Sequence, residues 1–164
     1  MLNSLQKKRN AQSGFTIIEV LIVLAIAGLI LLVVFLAVPA LQRNAHNTTK
    51  KSDVAGLLGA MTEYVSNNNG SLPTATSSPF PNSVKIGVGP TNNLVDVKLG
   101  NFDGNNVTIS SVIPAAGSLP TSQDSVVIYL KATCSANAPT ASTTARNFAA
   151  YYVLEGGAKQ CSAS

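Results

Sequence analysis

Apolar and polar positions are sharply segregated along this chain. From Phe15 to Leu41 nearly every residue is apolar, with Thr16 and Gly28 tolerated, Pro39 near the end and Glu19 the only charge. At 1.5 Å per residue such a run makes about 40 Å of helix, and a bilayer core of roughly 30 Å needs about 20 residues, so the segment can span. After Leu41 the pattern turns amphipathic. Val54, Leu57, Leu58, Met61, Tyr64 and Val65 recur at helical spacing, while Lys50, Lys51, Asp53 and Glu63 fall between them as the solvated positions. The helix is expected to end at Asn67-Asn68-Asn69-Gly70, whose residues tolerate positive φ, with Pro73 blocking any resumption. A helix from Phe15 to about Ser66 is too long for one small domain to enclose, so its first half must be buried in lipid or in copies of itself.

Met1 to Gly14, in contrast, is polar, basic and without periodicity, and could bury no face. Between Ser71 and Pro90 the chain is crowded with Pro, Ser, Thr and Gly, which predicts a loop over the head. Short β-like runs follow at Leu94–Leu99, Val107–Ile113, Val126–Thr133 and Phe148–Leu154. Asp103-Gly104 between the first two is a turn signal and predicts a hairpin. The alternation of Val95, Val97 and Leu99, and of Val107 and Ile109, suits strands with one face on the helix and one in water. The expected fold class is α+β: a long N-terminal helix, membrane-spanning in its first half and amphipathic in its second, packed on a small antiparallel sheet. Segments 1–14, 15–41, 42–70 and 71–164 are the expected tail, apolar half-helix, amphipathic half-helix and globular head.

Composition refines this picture in two ways. The formal net charge of +4 and pI near 9.2 resemble a nucleic-acid signature, but Lys7, Lys8 and Arg9 supply three of the eleven basic residues. The other eight face seven acidic residues, and beyond the leader the only basic run is Lys50-Lys51, so charge gives DNA binding no support. The two cysteines, Cys134 and Cys161, have no His or further Cys at metal-ligand spacing. They read as a single disulfide of an exported domain, with a pair of unrelated buried thiols as the alternative.

Three features coincide at one junction: a basic leader ending in Gly14, an apolar run beginning at Phe15, and a carboxylate at Glu19. An ionisable group in a membrane helix is unfavourable and calls for a partner. A cut between Gly14 and Phe15 would create one, a free α-amino group at the head of the helix. In a stack of parallel helices the Phe15 amine of an offset neighbour could lie beside Glu19, and an uncut leader would abolish the pairing. Such a pair would set register more than strength.

Gly14-Phe15-Thr16-Ile17-Ile18-Glu19-Val20-Leu21-Ile22-Val23 closely resembles the N-terminal signature of type IV pilins and the related pseudopilins. The resemblance implies the pilin fold, cleavage after Gly14 by a prepilin peptidase that also methylates, N-methylation of Phe15, and Glu19 as the assembly glutamate. It further implies a homo-oligomeric helical filament built by an assembly platform and its ATPase machinery. The subunit would stand in the inner or cytoplasmic membrane as a single-pass protein with its head outside, and later in an extracellular pilus. It implies a structural protein without catalysis, cofactor or metal, and a C-terminal loop closed by Cys134 and Cys161. Gly28 also falls where the family commonly has glycine. Pro39-Ala40-Leu41-Gln42 looks like the family's Pro-Ala-aromatic-Gln segment but stands three residues further from Gly28 than usual. Three residues turn a helix by about 300°, which displaces the later face by roughly 60°. The resemblance covers Lys7 to about Gln42 and the plan of the C-terminal loop, not the head itself.

Other readings compete. A secretory signal cut at Val38-Pro39-Ala40 would leave Glu19 unexplained, and the apolar run exceeds the usual h-region. A pseudopilin of a secretion or DNA-uptake machine shares the same N-terminus, and a single-pass membrane-tethered binding module is the alternative outside assembly proteins. Asn101, Asp103 and Asn105 alternate like a calcium loop but lack its sixth-position glycine and twelfth-position acid, so a turn is preferred. His46, the lone histidine, reads as a solvated helix residue. Asn47, Asn69 and Asn106 head glycosylation-like triplets of a kind common by chance, and the Ser71–Ser83 loop offers Ser and Thr for sugars. Phe148, Tyr151 and Tyr152 could form an adhesive patch, but core packing is the preferred reading.

Overall fold

The computed structural model describes residues 14–80, 82–87 and 95–164. The expected leader through Ser13, and residues 88–94 of the expected loop and first strand, lie outside these described residues. The chain divides into two compact units after Leu41. Helix α1 spans Ile17–Asn67, close to the expected limits, with Pro39 inside it. In the first unit every residue from Gly14 to Leu41 is exposed.

The second unit builds a head on the amphipathic half of α1. The strands are β1 (Thr76–Phe80), β2 (Ser83–Ile86), β3 (Val95–Lys98), β4 (Val107–Ser110), β5 (Val126–Leu130), β6 (Ala132–Ser135), β7 (Ala138–Ala141), β8 (Phe148–Val153) and β9 (Lys159–Ala163). They form three sheets, ordered β1-β2-β3, β4-β5-β8-β9 and β6-β7. Val54, Leu57, Ala60 and Met61 of α1 meet Val84, Ile86, Val97, Val126, Ile128, Ala150 and Tyr152 in the main core. The other face of the four-stranded sheet is not solvated. Tyr129, Ala149, Tyr151 and Val153 pack there with Leu119 and Ala132 in a second apolar cluster. Strand β8, buried at every position, is therefore the central layer of the head. Phe148, Tyr151 and Tyr152 are core residues, as preferred.

The end of α1 has the expected chemistry. Asn69 adopts φ 54° and Gly70 φ 84°, and the Gly70 N–H donates to the Val65 carbonyl at 2.8 Å, the six-to-one bond of a Schellman closure. Strand β3 alternates as expected, with Val97 buried and Asp96 and Lys98 exposed.

Several expectations are corrected. The stretch expected as a loop over Ser71–Pro90 contains the antiparallel pair β1 and β2. Val84 and Ile86 alternate around Lys85, and Pro79 lies in the edge strand, where a missing N–H costs no ladder bond. No hairpin joins β3 to β4: β3 pairs with β2, and β4 runs parallel to β5. Asp103 instead caps a 3-10 turn at Gly104–Asn106, its side chain accepting from the Asn105 N–H. Phe102, buried and edge-on to Tyr152 with ring centroids 6.4 Å apart, pins this connection into the core. The head is thus mixed rather than purely antiparallel. The run Val126–Thr133 breaks at Lys131, whose φ of 52° turns the chain from β5 into β6.

Candidate functional site

The helix begins at Ile17, two residues after the start of the apolar run. Thr16 stands at the N-cap and Glu19 at the third helical position. The Thr16 N–H and hydroxyl donate to Glu19 Oε2 at 2.9 and 2.7 Å, and the Glu19 N–H donates to the Thr16 hydroxyl at 3.4 Å. This is a capping box, in which side chain and backbone satisfy each other reciprocally. The Thr-x-x-Glu spacing that signals it was present in the sequence but overlooked, because Glu19 was read as a charge awaiting a cation. The carboxylate has a local partner already. Its second oxygen, Oε1, accepts no hydrogen bond among the described residues. Phe15, 88% exposed, Gly14 and Glu19 lie together at this helix start. Along the described apolar segment that follows, Glu19 is the only charge.

A polar clamp holds the amphipathic half of α1 in the head. Asp53, placed by periodicity on the solvated face, is buried at 7% exposure. Its carboxylate accepts from the backbone N–H groups of Gly100, Asn101 and Phe102 at 2.9, 2.8 and 3.3 Å. Lys50 is likewise buried: its ammonium donates to the Gln123 carbonyl at 2.8 Å and sits 5.6 Å from the Phe102 ring centroid. Both solvated-face expectations are therefore corrected. The available signal was spacing, since Lys50 and Asp53 stand four residues before the core residues Val54 and Leu57.

His46 is not merely solvated. Its Nδ1 lies 2.8 Å from Glu155 Oε1, with side chains 55% and 26% exposed. Such an open pair contributes little to stability. Asn47 accepts from the Glu155 N–H at 2.8 Å and donates to its carbonyl at 3.4 Å, so this triplet's amide is engaged within the fold. Asn101 and Asp103 do not converge on a common point: the Asn101 amide donates to the His46 carbonyl, while Asp103 caps Asn105. Among the described residues there is no cluster of three or more His, Cys, Asp or Glu that could hold a metal.

Cys134 and Cys161 form a disulfide, with Cα atoms 5.7 Å apart. It ties β6 to the edge strand β9 and closes the second apolar cluster. Beneath it, the Tyr151 hydroxyl is buried and has no hydrogen-bond partner among the described residues. Burial raises the Tyr151 phenol above its ordinary value of 10.0, and burial followed by the charge of Tyr151 raises Tyr129.

None of the curated proteins and none of the solved structures matches the chain. The family description "Prokaryotic N-terminal methylation motif" matches residues 9–35, which include the Gly14-Phe15 junction, the capping box and most of the exposed apolar run. That motif implies processing by a prepilin peptidase and assembly in pilus-type machinery, and with the apolar helix it suggests membrane anchoring before assembly. A long exposed apolar helix, a mixed β head and a disulfide are consistent with the pilin fold, and by the match at residues 9–35 the chain carries a type IV prepilin-like leader motif.

Proposed function

We propose that the chain is the structural subunit of a type IV pilus, polymerising through its N-terminal helix into a surface filament. The observation that carries this reading is the methylation motif at residues 9–35, whose residues from Ile17 onward lie on a helix exposed at every residue to Leu41. Twenty or more apolar residues left in contact with solvent require lipid, a partner, or both.

In this reading Met1–Gly14 is removed, Phe15 becomes the N-methylated terminus, residues 15–41 anchor the subunit and later enter the filament core, residues 42–70 carry the head, and residues 71–164 complete it. The capping box supports a division of labour on one carboxylate: Thr16 holds Oε2 and fixes the side chain, while Oε1 accepts from the cationic Phe15 amine of an offset neighbour. Methylation leaves that amine cationic. Other proteins cut the leader and drive extraction from the membrane; the chain itself catalyses nothing.

Electron microscopy of cells expressing the chain tests the proposal. Surface filaments that contain it, and that are lost in Glu19→Ala while the subunit remains in the membrane, are the expected result. Normal function of Glu19→Ala without any filament would instead favour a membrane-tethered module, and a short assembly confined to the envelope would favour a pseudopilin.

A further inference from the structure

Between Thr48 and Ser66 the outward face of α1 is unlike that of an ordinary helix in water. A solvated helix face usually carries many charges. Here, among the exposed residues of that stretch, only Lys51 and Glu63 are charged. Ser52, Ala55, Gly59 and Thr62 lie between them, and at 100° per residue these four fall within about 40° of a common line along the helix. Lys51 and Glu63 flank that line at about 60° on opposite sides. The strip between the charges is low and uncharged. Gly59 has no atom within 4 Å of where a Cβ would stand, and the Thr62 hydroxyl is turned onto the Leu58 carbonyl at 2.9 Å. Gly, Ser and Thr all weaken a helix relative to Ala, so helix stability does not account for them. Neither Lys51 nor Glu63 has an ion-pair or hydrogen-bond partner among the described residues.

We infer that this face docks a second copy of the chain, the Lys51 edge of one subunit against the Glu63 edge of the next. The opposite charges on the two edges are complementary between copies but not within one. Their positions are twelve residues apart, about 18 Å along the axis, so no side-chain contact can join them in a single subunit. Contact between different edges is heterologous, and a heterologous contact does not close as a symmetric pair but, combined with an axial stagger between copies, propagates into an open helical assembly. The copies are staggered along the axis, by the 18 Å spacing less the reach of the two side chains. Small residues between the charged edges let the two helices approach closely. This inference rests on the filament reading and adds to it a register contact outside the apolar segment.

Crosslinking in sheared filaments tests it. Lys51→Cys, Glu63→Cys and the double variant are treated with a bismaleimide too short to join the two positions within one chain. The expected result is a ladder of multimers from the double variant, mapped by mass spectrometry to a 51–63 linkage, with each single variant remaining monomeric. Lys51→Glu and Glu63→Lys are each expected to lower filament yield, and the charge-swapped double variant to restore it. Filaments that form normally yet give no 51–63 linkage, with both reversals harmless, would overturn the contact and leave the pilin reading standing. A 51 or 63 linkage to a different protein would overturn it as well. If the unaltered chain forms no filaments at all, the filament reading fails first and this contact fails with it.

Discussion

Asp53 ties the amphipathic half of α1 to the head through its carboxylate. Its carboxylate receives three backbone N–H groups from a connection that has no strand partner to receive them. Asp53→Ala takes the acceptor from all three donors, of which the Phe102 N–H is buried, and is expected to destabilise the head by about 2–4 kcal/mol, with Asp53→Asn milder because one acceptor oxygen survives. The melting temperature of the detergent-solubilised protein reads this directly. Gly100 beside it has no room for a side chain, since a Cβ would come within 2.6 Å of Thr49 Cγ2. Thr49 is held in place by its hydroxyl bond to the Ala45 carbonyl, so Gly100→Ala is expected to cost about 1–3 kcal/mol in the same measurement. Tyr151 makes a prediction about pH. Its phenol is raised by burial in the folded head, so the stability it confers is fully present below the unfolded value of 10.0 and is lost as pH rises through the folded value. Thermal melts of the unaltered protein should therefore fall off more steeply above pH 10.0 than those of Tyr151→Phe, which also removes an unpartnered hydroxyl. Little of this residue scale was legible in the sequence. Helical periodicity assigns Lys50 and Asp53 to a face, but whether distant backbone donors or a carbonyl arrive to bury them depends on loops that periodicity does not describe.

Elements were legible where a pattern was long and hidden where it was short. The apolar and amphipathic halves of α1, and its Asn-Gly closure, followed from spacing because many positions repeat the same signal. Strands β1 and β2 were missed because the alternation of Val84 and Ile86 covers only one repeat amid Pro, Ser and Gly. The Asp103-Gly104 hairpin was misread because the turn residues carry the same chemistry in a capped 3-10 turn, and the burial of Phe102 decides between them. Strands β6, β7 and β9 are short and weakly apolar, and the disulfide makes up for what their side chains do not bury. Linking residues 27 apart in sequence, it is expected to contribute about 3–4 kcal/mol through the unfolded chain. Reduction, or Cys134→Ser with Cys161→Ser, should lower the melting temperature and speed hydrogen exchange first in β6, β7 and β9. Exchange accelerated equally in β5 would show that the second apolar cluster does not behave as a separable layer.

At the scale of the whole molecule, the sequence and the fold divide the chain into parts with different needs. The head satisfies its apolar residues internally on both faces of the central sheet. The segment from Phe15 to Leu41 satisfies none of its own. That contrast was visible in the sequence from hydropathy alone, whereas the capping box at Thr16 and Glu19 was visible only as spacing and went unread. Glu19 links the two, because a carboxylate with one oxygen held by Thr16 and one without a partner among the described residues is suited to the cation that cleavage after Gly14 would create. The intact mass and N-terminal peptide of the protein, purified from the surface of its own cells, test this most directly. The expected result is a mature chain that begins at N-methylated Phe15, having lost Met1–Gly14 and gained one methyl group. A functional chain that keeps its Met1 leader, or one that begins at Leu41, would contradict it.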